Sequence, residues 1–311
     1  MTTTAWVFPG QGSQSIGMLA DLAASYPIIE ATFVEASAAL GKDLWALAQN
    51  GPEAEMNATE NTQPLLLVAG IAIWRAWQQA GGPAPAYLAG HSLGEYTALV
   101  AAEVISLADG VRLVAERGRL MQDAVPAGEG AMAAILGLDN DQVIAACKAV
   151  ADGDVVSAVN FNAPGQVVIA GSAAAVDRAI VECKAAGAKR ALPLSVSAPS
   201  HCALMRPAAE ELAKCFYALS FEKPTIPVVQ NVSAKVASDT ATLQAALVEQ
   251  LYSPVRWVEC IEQLAALGVT QIVESGPGKV LTGLNKRIDK NMTHWSLDST
   301  EGMTAALESL C

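Results

Sequence analysis

A serine stands at the centre of the motif GHSLG at residues 90–94, which matches the pattern G-x-S-x-G. A short apolar segment, residues 86–89, precedes the motif, and a helical pattern, residues 95–102, follows it. This order of strand, turn and helix is typical of a nucleophile elbow, in which a tight turn exposes the serine hydroxyl. Ser92 is therefore the candidate nucleophile, and the backbone N–H of Leu93 at the helix start can face a developing oxyanion. The alternative interpretation is an ordinary glycine-rich turn.

Such a serine needs a base, since a serine hydroxyl is a poor nucleophile at neutral pH. The chain has three histidines that could serve. His91 lies inside the motif and should point away from Ser92, and His294 lies in a polar terminal stretch. His201 follows a predicted subdomain junction, where clefts form, and is the candidate base by elimination. No acidic residue stands out to orient its ring, but a backbone carbonyl can do so, because Nδ1–H needs only an acceptor. Cys202 is a rival nucleophile without an elbow and is interpreted as buried packing.

A glycine-rich loop, residues 9–17, follows the first apolar strand. Its closest rival interpretation, a dinucleotide-binding G-x-G-x-x-G, fails because Ser15 occupies the third glycine position. Residues 276–280 likewise lack the features of a phosphate loop. A loop in this place can bring a second backbone N–H beside the elbow, and Gln11 is the candidate donor. A loop without function is the alternative.

An arginine lies on the apolar face of the helix that starts near Ser106. The apolar face is marked at intervals of three or four residues by Val111, Val114, Gly118 and Met121. A guanidinium held on a buried face costs several kcal/mol unless an anion or hydrogen bonds compensate for lost water. The planar fork of Arg117 suits a carboxylate and predicts a clamp for an acid-bearing group. An internal salt bridge is the alternative.

The elements that must position these residues form an α/β pattern. The chain has 311 residues, 52% of them hydrophobic and 5% aromatic, which suits helices packed on a buried parallel sheet. Within a central segment the predicted order is strand 132–136, helix 141–150, strands 155–161 and 166–170, helix 173–186 and strand 189–196. This βαββαβ order predicts a ferredoxin-like subdomain inserted into a larger one, whose strands resume at 226–229 and 271–274. The predicted divisions are residues 1–126 and 201–311 for the large subdomain and 127–200 for the small one.

Composition narrows the function classes. A net charge of -12 argues against extended nucleic-acid binding, which relies on basic surface. The longest apolar stretch, residues 65–74, is about half the roughly 20 residues that a membrane span needs, and no secretory signal is visible at the start. Six cysteines without a C-x-x-C pair are typical of reduced thiols, so a cytoplasmic location is expected.

Four motifs together resemble one family. FPGQGSQ at residues 8–14, GHSLGE at 90–95, NFNAPGQ at 160–166 and ESGPG at 274–278 occur in the order seen in the malonyl-CoA:acyl carrier protein transacylases of bacterial type II fatty acid synthesis. The resemblance covers essentially the whole chain. It implies a hydrolase-like, parallel-sheet large subdomain with an inserted ferredoxin-like small subdomain.

The resemblance also implies a reaction. Ser92 becomes malonylated by malonyl-CoA, His201 acts as the base, and Arg117 binds the malonyl carboxylate. The acyl group then passes to the phosphopantetheine thiol of an acyl carrier protein. No metal or bound cofactor is expected, since malonyl-CoA is a substrate.

The remaining implied roles surround this group. Gln11 and Leu93 would supply oxyanion N–H groups, the main-chain carbonyl of Gln250 would orient the histidine, and Gln63 would line the site. Many malonyl-selective relatives have Phe immediately before the histidine, whereas Ser200 stands here, so selectivity over methylmalonyl is inferred from overall similarity alone.

Two other functions remain open from the sequence. A serine esterase or thioesterase would use the same nucleophile and base but release the acyl group to water. A nucleotide-binding or noncatalytic scaffold would use the glycine-rich loops. Lys189, Arg190, Lys286 and Arg287 are candidate carrier contacts, because acyl carrier proteins are typically acidic.

Overall fold

Two sheets organise the computed structural model, which describes residues 3–194 and 198–311. The first is a five-stranded parallel sheet in the order β7-β2-β1-β8-β9. Its strands are β1 (Thr4–Phe8), β2 (Tyr87–Gly90), β7 (Val228–Val229), β8 (Gln271–Glu274) and β9 (Thr293–Ser296).

Helices cover both faces of this sheet. They are α1 (Ala20–Ser25), α2 (Ile28–Leu40), α3 (Leu44–Asn50), α4 (Glu53–Met56), α5 (Thr59–Gln79), α6 (Leu93–Ala101), α7 (Leu107–Asp123), α10 (Arg206–Cys215), α11 (Thr240–Gln250), α12 (Trp257–Ala266), α13 (Val280–Ile288) and α14 (Thr300–Leu310). Because the strands are buried on both sides, β1 presents Trp6 and Phe8 to one core and Ala5 and Val7 to the other. None of these helices combines the length and apolar character that crossing a membrane requires.

The second sheet is antiparallel and belongs to the inserted subdomain. Its order is β4-β5-β3-β6, and two helices connect the strands. The elements are β3 (Gly130–Leu136), α8 (Asn140–Val150), β4 (Val156–Ala163), β5 (Gln166–Ser172), α9 (Ala173–Ala185) and β6 (Arg190–Pro193). This is the βαββαβ arrangement, so the predicted fold class of a parallel-sheet subdomain with a ferredoxin-like insertion is confirmed.

Several strand ends differ from the sequence pattern, and three of these differences concern strands at sheet edges. The last small-sheet strand ends at Pro193, and positions 195 and 196 of the predicted strand lie outside the described residues. Only Val228–Val229 of the predicted strand 226–229 joins the ladder, because Pro227 carries no N–H. The edge strand Thr293–Ser296 was not predicted, since its four residues, none of them fully buried, give no apolar alternation. The divisions at 126/127 and 200/201 stay predictions.

Strand β4 connects the small sheet to the large subdomain. Its register shifts twice, between Ala158 and Asn160 and between Phe161 and Ala163. At these bulges the strand pairs with Val255, which accepts a hydrogen bond from Phe161 N at 3.0 Å and donates one to Val159 O at 2.8 Å. Since bulges redirect side chains, the irregular stretch can carry polar residues toward the space between the subdomains.

A buried carboxylate fixes the helix at the other wall of that space. Both oxygens of Glu274 at the end of β8 accept backbone hydrogen bonds, from Leu281 N at 2.9 Å and from Thr282 N at 2.6 Å. These N–H groups belong to the first turn of α13, where a helix has no internal acceptors. Glu274 therefore sets where α13 begins relative to the sheet.

Replacing this carboxylate tests its contribution to stability. We expect Glu274→Ala to lower the free energy of unfolding by about 2 to 4 kcal/mol, because two buried N–H groups lose their acceptor. Glu274→Gln keeps one acceptor and should lose about half as much. Urea unfolding monitored by circular dichroism measures both, and equal losses in the two variants would contradict the capping role.

Candidate active site

The serine lies at a strained bend between β2 and α6. Ser92 has φ 53° and ψ -109°, values that non-glycine residues rarely adopt and that cluster at functional sites. The flanking glycines are required by space: a Cβ at Gly90 would lie 1.9 Å from the backbone of Gly94, and one at Gly94 would lie 2.0 Å from Phe8 O. The bend therefore has the geometry expected of a nucleophile elbow.

His201 and Ser92 meet although 109 positions separate them. His201 Nε2 lies 2.8 Å from Ser92 Oγ, and its Nδ1 lies 2.7 Å from the backbone oxygen of Gln250. With Nδ1–H donating to this carbonyl, Nε2 is the unprotonated nitrogen that can accept the serine proton. The backbone N–H of His201 also donates to Leu251 O at 2.9 Å, which fixes the histidine against the end of α11.

The imidazole of His201 is held in its neutral form. Its side chain is almost fully buried, and burial together with the positive charge of Arg117 lowers its pKa to about 3. Burial also lowers the pKa values of His91 and His294. A neutral imidazole with a free Nε2 lone pair is the form that a general base requires.

Arg117 lies beside the serine. Its side chain is 0% exposed, as its position on the apolar face of α7 predicts. Nη1 donates to Gln63 Oε1 at 2.8 Å, and Nη2 donates to Gln250 Oε1 at 3.0 Å and to Ser92 Oγ at 3.3 Å. All three acceptors are neutral, and within residues 3–194 and 198–311 no salt bridge includes this guanidinium. The buried positive charge can therefore pair with an incoming carboxylate.

One candidate oxyanion donor belongs to the elbow, and the other belongs to the loop that packs against it. Leu93 is the first residue of α6, and no backbone or side-chain acceptor within the described ranges takes its N–H or that of Gln11. The loop that carries Gln11 packs directly on the elbow, since a Cβ at Gly10 would lie 2.7 Å from His91 O. Gln11 itself is exposed, and its side chain donates to Thr59 Oγ1 at 3.4 Å. Both N–H groups thus remain available, and their roles stay predictions.

A cleft of about 190 Å³ leads to the serine from the space between the subdomains. Met132 and Val168 line it from the small sheet, and Val280 and Leu284 line it from α13. Ser200 also lines the cleft, so the residue before the histidine does face the substrate space. The described residues include no cluster of histidine, cysteine or acidic side chains that could hold a metal ion.

Cys202 is not a nucleophile in this arrangement. It is buried, its Sγ donates to Pro199 O at 3.2 Å, and burial raises its pKa to about 11. A protonated buried thiol is inert, which agrees with its interpretation as packing.

Sequence reasoning missed three residues around the elbow. Asn231 Oδ1 accepts from Ser92 N at 2.7 Å, and its Nδ2 donates to Gly90 O at 2.6 Å. His91 points away from the serine as expected, but its Nε2 contacts Asn162 Oδ1 at 2.8 Å and so joins the elbow to the small subdomain. Glu95 is buried in the first turn of α6. Only Glu95 gave a signal, as an acidic residue on the buried face of a helix.

The ionisation of His201 can be followed directly. We expect its ring to stay neutral from about pH 8 to about pH 5, because the folded-state pKa is far below the ordinary value of about 6.5. Histidine-labelled NMR measures this, with His201→Gln assigning the signal, and a midpoint near 6.5 would contradict it. Since only the unfolded chain readily protonates this ring, its contribution to stability should fall as pH drops below about 6.5.

Comparison with known proteins places this geometry in a family. The family model described as "Acyl transferase domain" matches residues 5–294. The chain is 61% identical over 308 residues to the malonyl CoA-acyl carrier protein transacylase of Escherichia coli K12, covering 99% of this chain and 100% of the relative. It is 44% identical to the Bacillus subtilis protein of that name, over 100% of this chain and 98% of the relative.

Solved structures agree with the sequence comparison. A malonyl-CoA:acyl carrier protein transacylase from Xanthomonas oryzae superposes with a TM-score of 0.98 at 54% identity, covering 100% of both chains. A malonyl-transacylase in complex with its type II PKS acyl-carrier protein gives a TM-score of 0.98 at 57% identity, covering 99% of this chain and 100% of that chain. This chain therefore belongs to the acyl transferase family and, within it, to the malonyl CoA-acyl carrier protein transacylases.

Proposed function

We propose that this protein moves a malonyl group from malonyl-CoA to the phosphopantetheine thiol of an acyl carrier protein, in fatty acid biosynthesis. The observation that carries the proposal is the Arg117 guanidinium, buried 3.3 Å from Ser92 Oγ and bonded only to neutral acceptors. A buried cation next to a nucleophile selects an acyl group that brings its own negative charge. Malonyl has such a carboxylate and acetyl has none.

The first half of the reaction acylates the serine. The malonyl carboxylate pairs with Arg117 and holds the thioester carbonyl near Ser92. His201 Nε2 takes the hydroxyl proton as Oγ attacks the carbonyl carbon, and the N–H groups of Leu93 and Gln11 stabilise the oxyanion. The carbon–sulfur bond then breaks, and the departing coenzyme A thiolate takes the proton from His201.

In the second half the carrier's thiol is the attacking group, and Ser92 Oγ is the leaving group. His201 accepts the proton of the carrier's phosphopantetheine thiol, and the sulfur attacks the ester carbonyl. The carbon–oxygen bond breaks, and Ser92 Oγ takes the proton back from His201. Only an acyl group is transferred and no electrons are lost or gained, so the reaction proceeds without a bound cofactor. The six unpaired cysteines support the cytoplasm as its location.

The esterase alternative shares the nucleophile and the base but not the clamp. The relatives compared above are named transacylases, and this chain matches 98% or more of the length of each. These comparisons favour transfer over hydrolysis.

The carrier would approach along basic residues of the small subdomain and α13. Lys189 and Arg190 are exposed at the start of β6, and Lys189 lines a surface depression together with Arg287 of α13. Arg287 donates to Pro164 O at 2.8 Å and also contacts Gln166, so it holds the β4–β5 hairpin to the large subdomain. Such a local basic surface offsets the overall negative charge of the chain toward an acidic partner.

The acyl-enzyme can be seen directly. After exposure to malonyl-CoA we expect the intact mass of the chain to increase by one malonyl group, because Ser92 forms a stable ester until a thiol arrives. The matched variant Ser92→Ala should show no increase. Labelling of the variant, or no labelling of the native chain, would overturn the proposal.

The clamp is tested by comparing two substrates. Arg117→Ala should lower the preference for malonyl-CoA over acetyl-CoA by about tenfold to hundredfold, because the free energy of a hydrogen bond between charged groups corresponds to a ratio of this size. Arg119→Ala is the control, because this arginine lies on the same helix but pairs with Glu116 and Asp123 at the surface. The ratio of kcat/KM values measures the preference, and an unchanged ratio in Arg117→Ala would refute the clamp.

A further inference from the structure

A buried carboxyl group lies behind the nucleophile and takes no part in the reaction described above. Glu95, three positions after Ser92, is 1% exposed. Its Oε2 accepts from Gln250 Nε2 at 2.7 Å and from the backbone N–H of Asn231 at 3.1 Å. Burying a carboxyl group costs several kcal/mol unless its hydrogen bonds compensate. Any role of Glu95 in the site therefore acts through the two groups that donate to it.

Asn231 holds the bend itself. While its backbone N–H donates to Glu95, its side chain accepts from Ser92 N at 2.7 Å and donates to Gly90 O at 2.6 Å. One side chain thus spans the bend at Ser92, which adopts unfavourable backbone angles. A strained conformation of this kind persists only where the surroundings fix it.

Gln250 contacts the other reacting groups. Its Nε2 donates to Ser92 O at 3.1 Å, its Oε1 accepts from Arg117 at 3.0 Å, and its backbone oxygen accepts from His201 at 2.7 Å. Since Oε2 of Glu95 accepts from the amide N–H₂, the amide oxygen must face the guanidinium. The opposite orientation would place two donors against each other.

We propose that Glu95 is a positioning residue for acyl transfer, which acts through Gln250 and Asn231 to fix the nucleophile bend and the carboxylate-binding arginine. The inference rests on the proposed function and adds a residue that contacts no substrate. The positioning depends on where one acceptor oxygen lies, because Oε2 accepts both hydrogen bonds. A proton on the other oxygen leaves both bonds intact, and burial raises the pKa of this carboxyl group to about 7.

Two conservative variants separate the position of the oxygen from its charge. Glu95→Gln keeps the length of the side chain and one carbonyl oxygen but removes the charge. Glu95→Asp keeps the carboxylate but withdraws it by one methylene group. Rapid-quench single turnover with radiolabelled malonyl-CoA gives the rate constant of acylation and, as its amplitude, the fraction of competent sites.

We expect Glu95→Gln to acylate within about threefold of the native rate constant. Glu95→Asp should have a rate constant of acylation lower by about tenfold to hundredfold at full amplitude. A displacement of about 1 Å in an active site lowers a rate by about this factor. A merely structural role would lower the amplitude and leave the rate constant unchanged.

Three results would overturn the inference. They are a slower Glu95→Gln than Glu95→Asp, equal rate constants in the two variants, and a loss confined to amplitude. Thermal unfolding of each variant identifies loss of folded protein. If Glu95→Asp does not fold, Glu95→Gln decides by itself, because a tenfold loss in the rate constant of Glu95→Gln contradicts the proposal. Absence of acyl-Ser92 in the native chain would instead refute the proposed function.

Discussion

The backbone bend at Ser92 is the constraint around which the rest of the site is built. A positive φ at a residue with a side chain is unfavourable, so neighbouring groups must stabilise the bend. Gly90 and Gly94 leave room for it, and Asn231 spans it with two side-chain hydrogen bonds. In return the bend presents the hydroxyl at the start of α6, within 2.8 Å of His201. The candidate nucleophile is thus placed by backbone geometry.

The electrostatics of the site follow from a buried cation that forms no salt bridge in the described part of the chain, although the buried carboxyl group of Glu95 interacts with it electrostatically. Arg117 is surrounded by amide and hydroxyl oxygens, which solvate the guanidinium but do not neutralise it. Burial, together with the same positive charge, keeps His201 neutral. In the proposed reaction the buried cation would attract an anionic acyl group and also help to keep the neighbouring base unprotonated.

Local patterns in the sequence predicted much of this molecule. The GHSLG motif located the bend, helical periodicity placed Arg117 on a buried face, and the βαββαβ order gave the inserted subdomain. These features depend on residues close together in the chain. The contacts of Asn231, Gln250 and Glu95 join segments more than 130 positions apart, and no spacing rule reports them. Gln250 entered the prediction only through family resemblance, and the two-residue strand β7 is too short to form a pattern.

The pairing of β4 with Val255 has a mechanical consequence. Two backbone hydrogen bonds cross from the small sheet to the large subdomain at the bulges of β4, close to the polar residues that line the cleft. A hinge between the small sheet and the large subdomain would have to break both bonds, so they resist a change in the width of the cleft. In the proposed reaction, acyl groups of different bulk would then be accommodated by rotamers of the lining side chains, and a change of specificity would require repacking of these side chains.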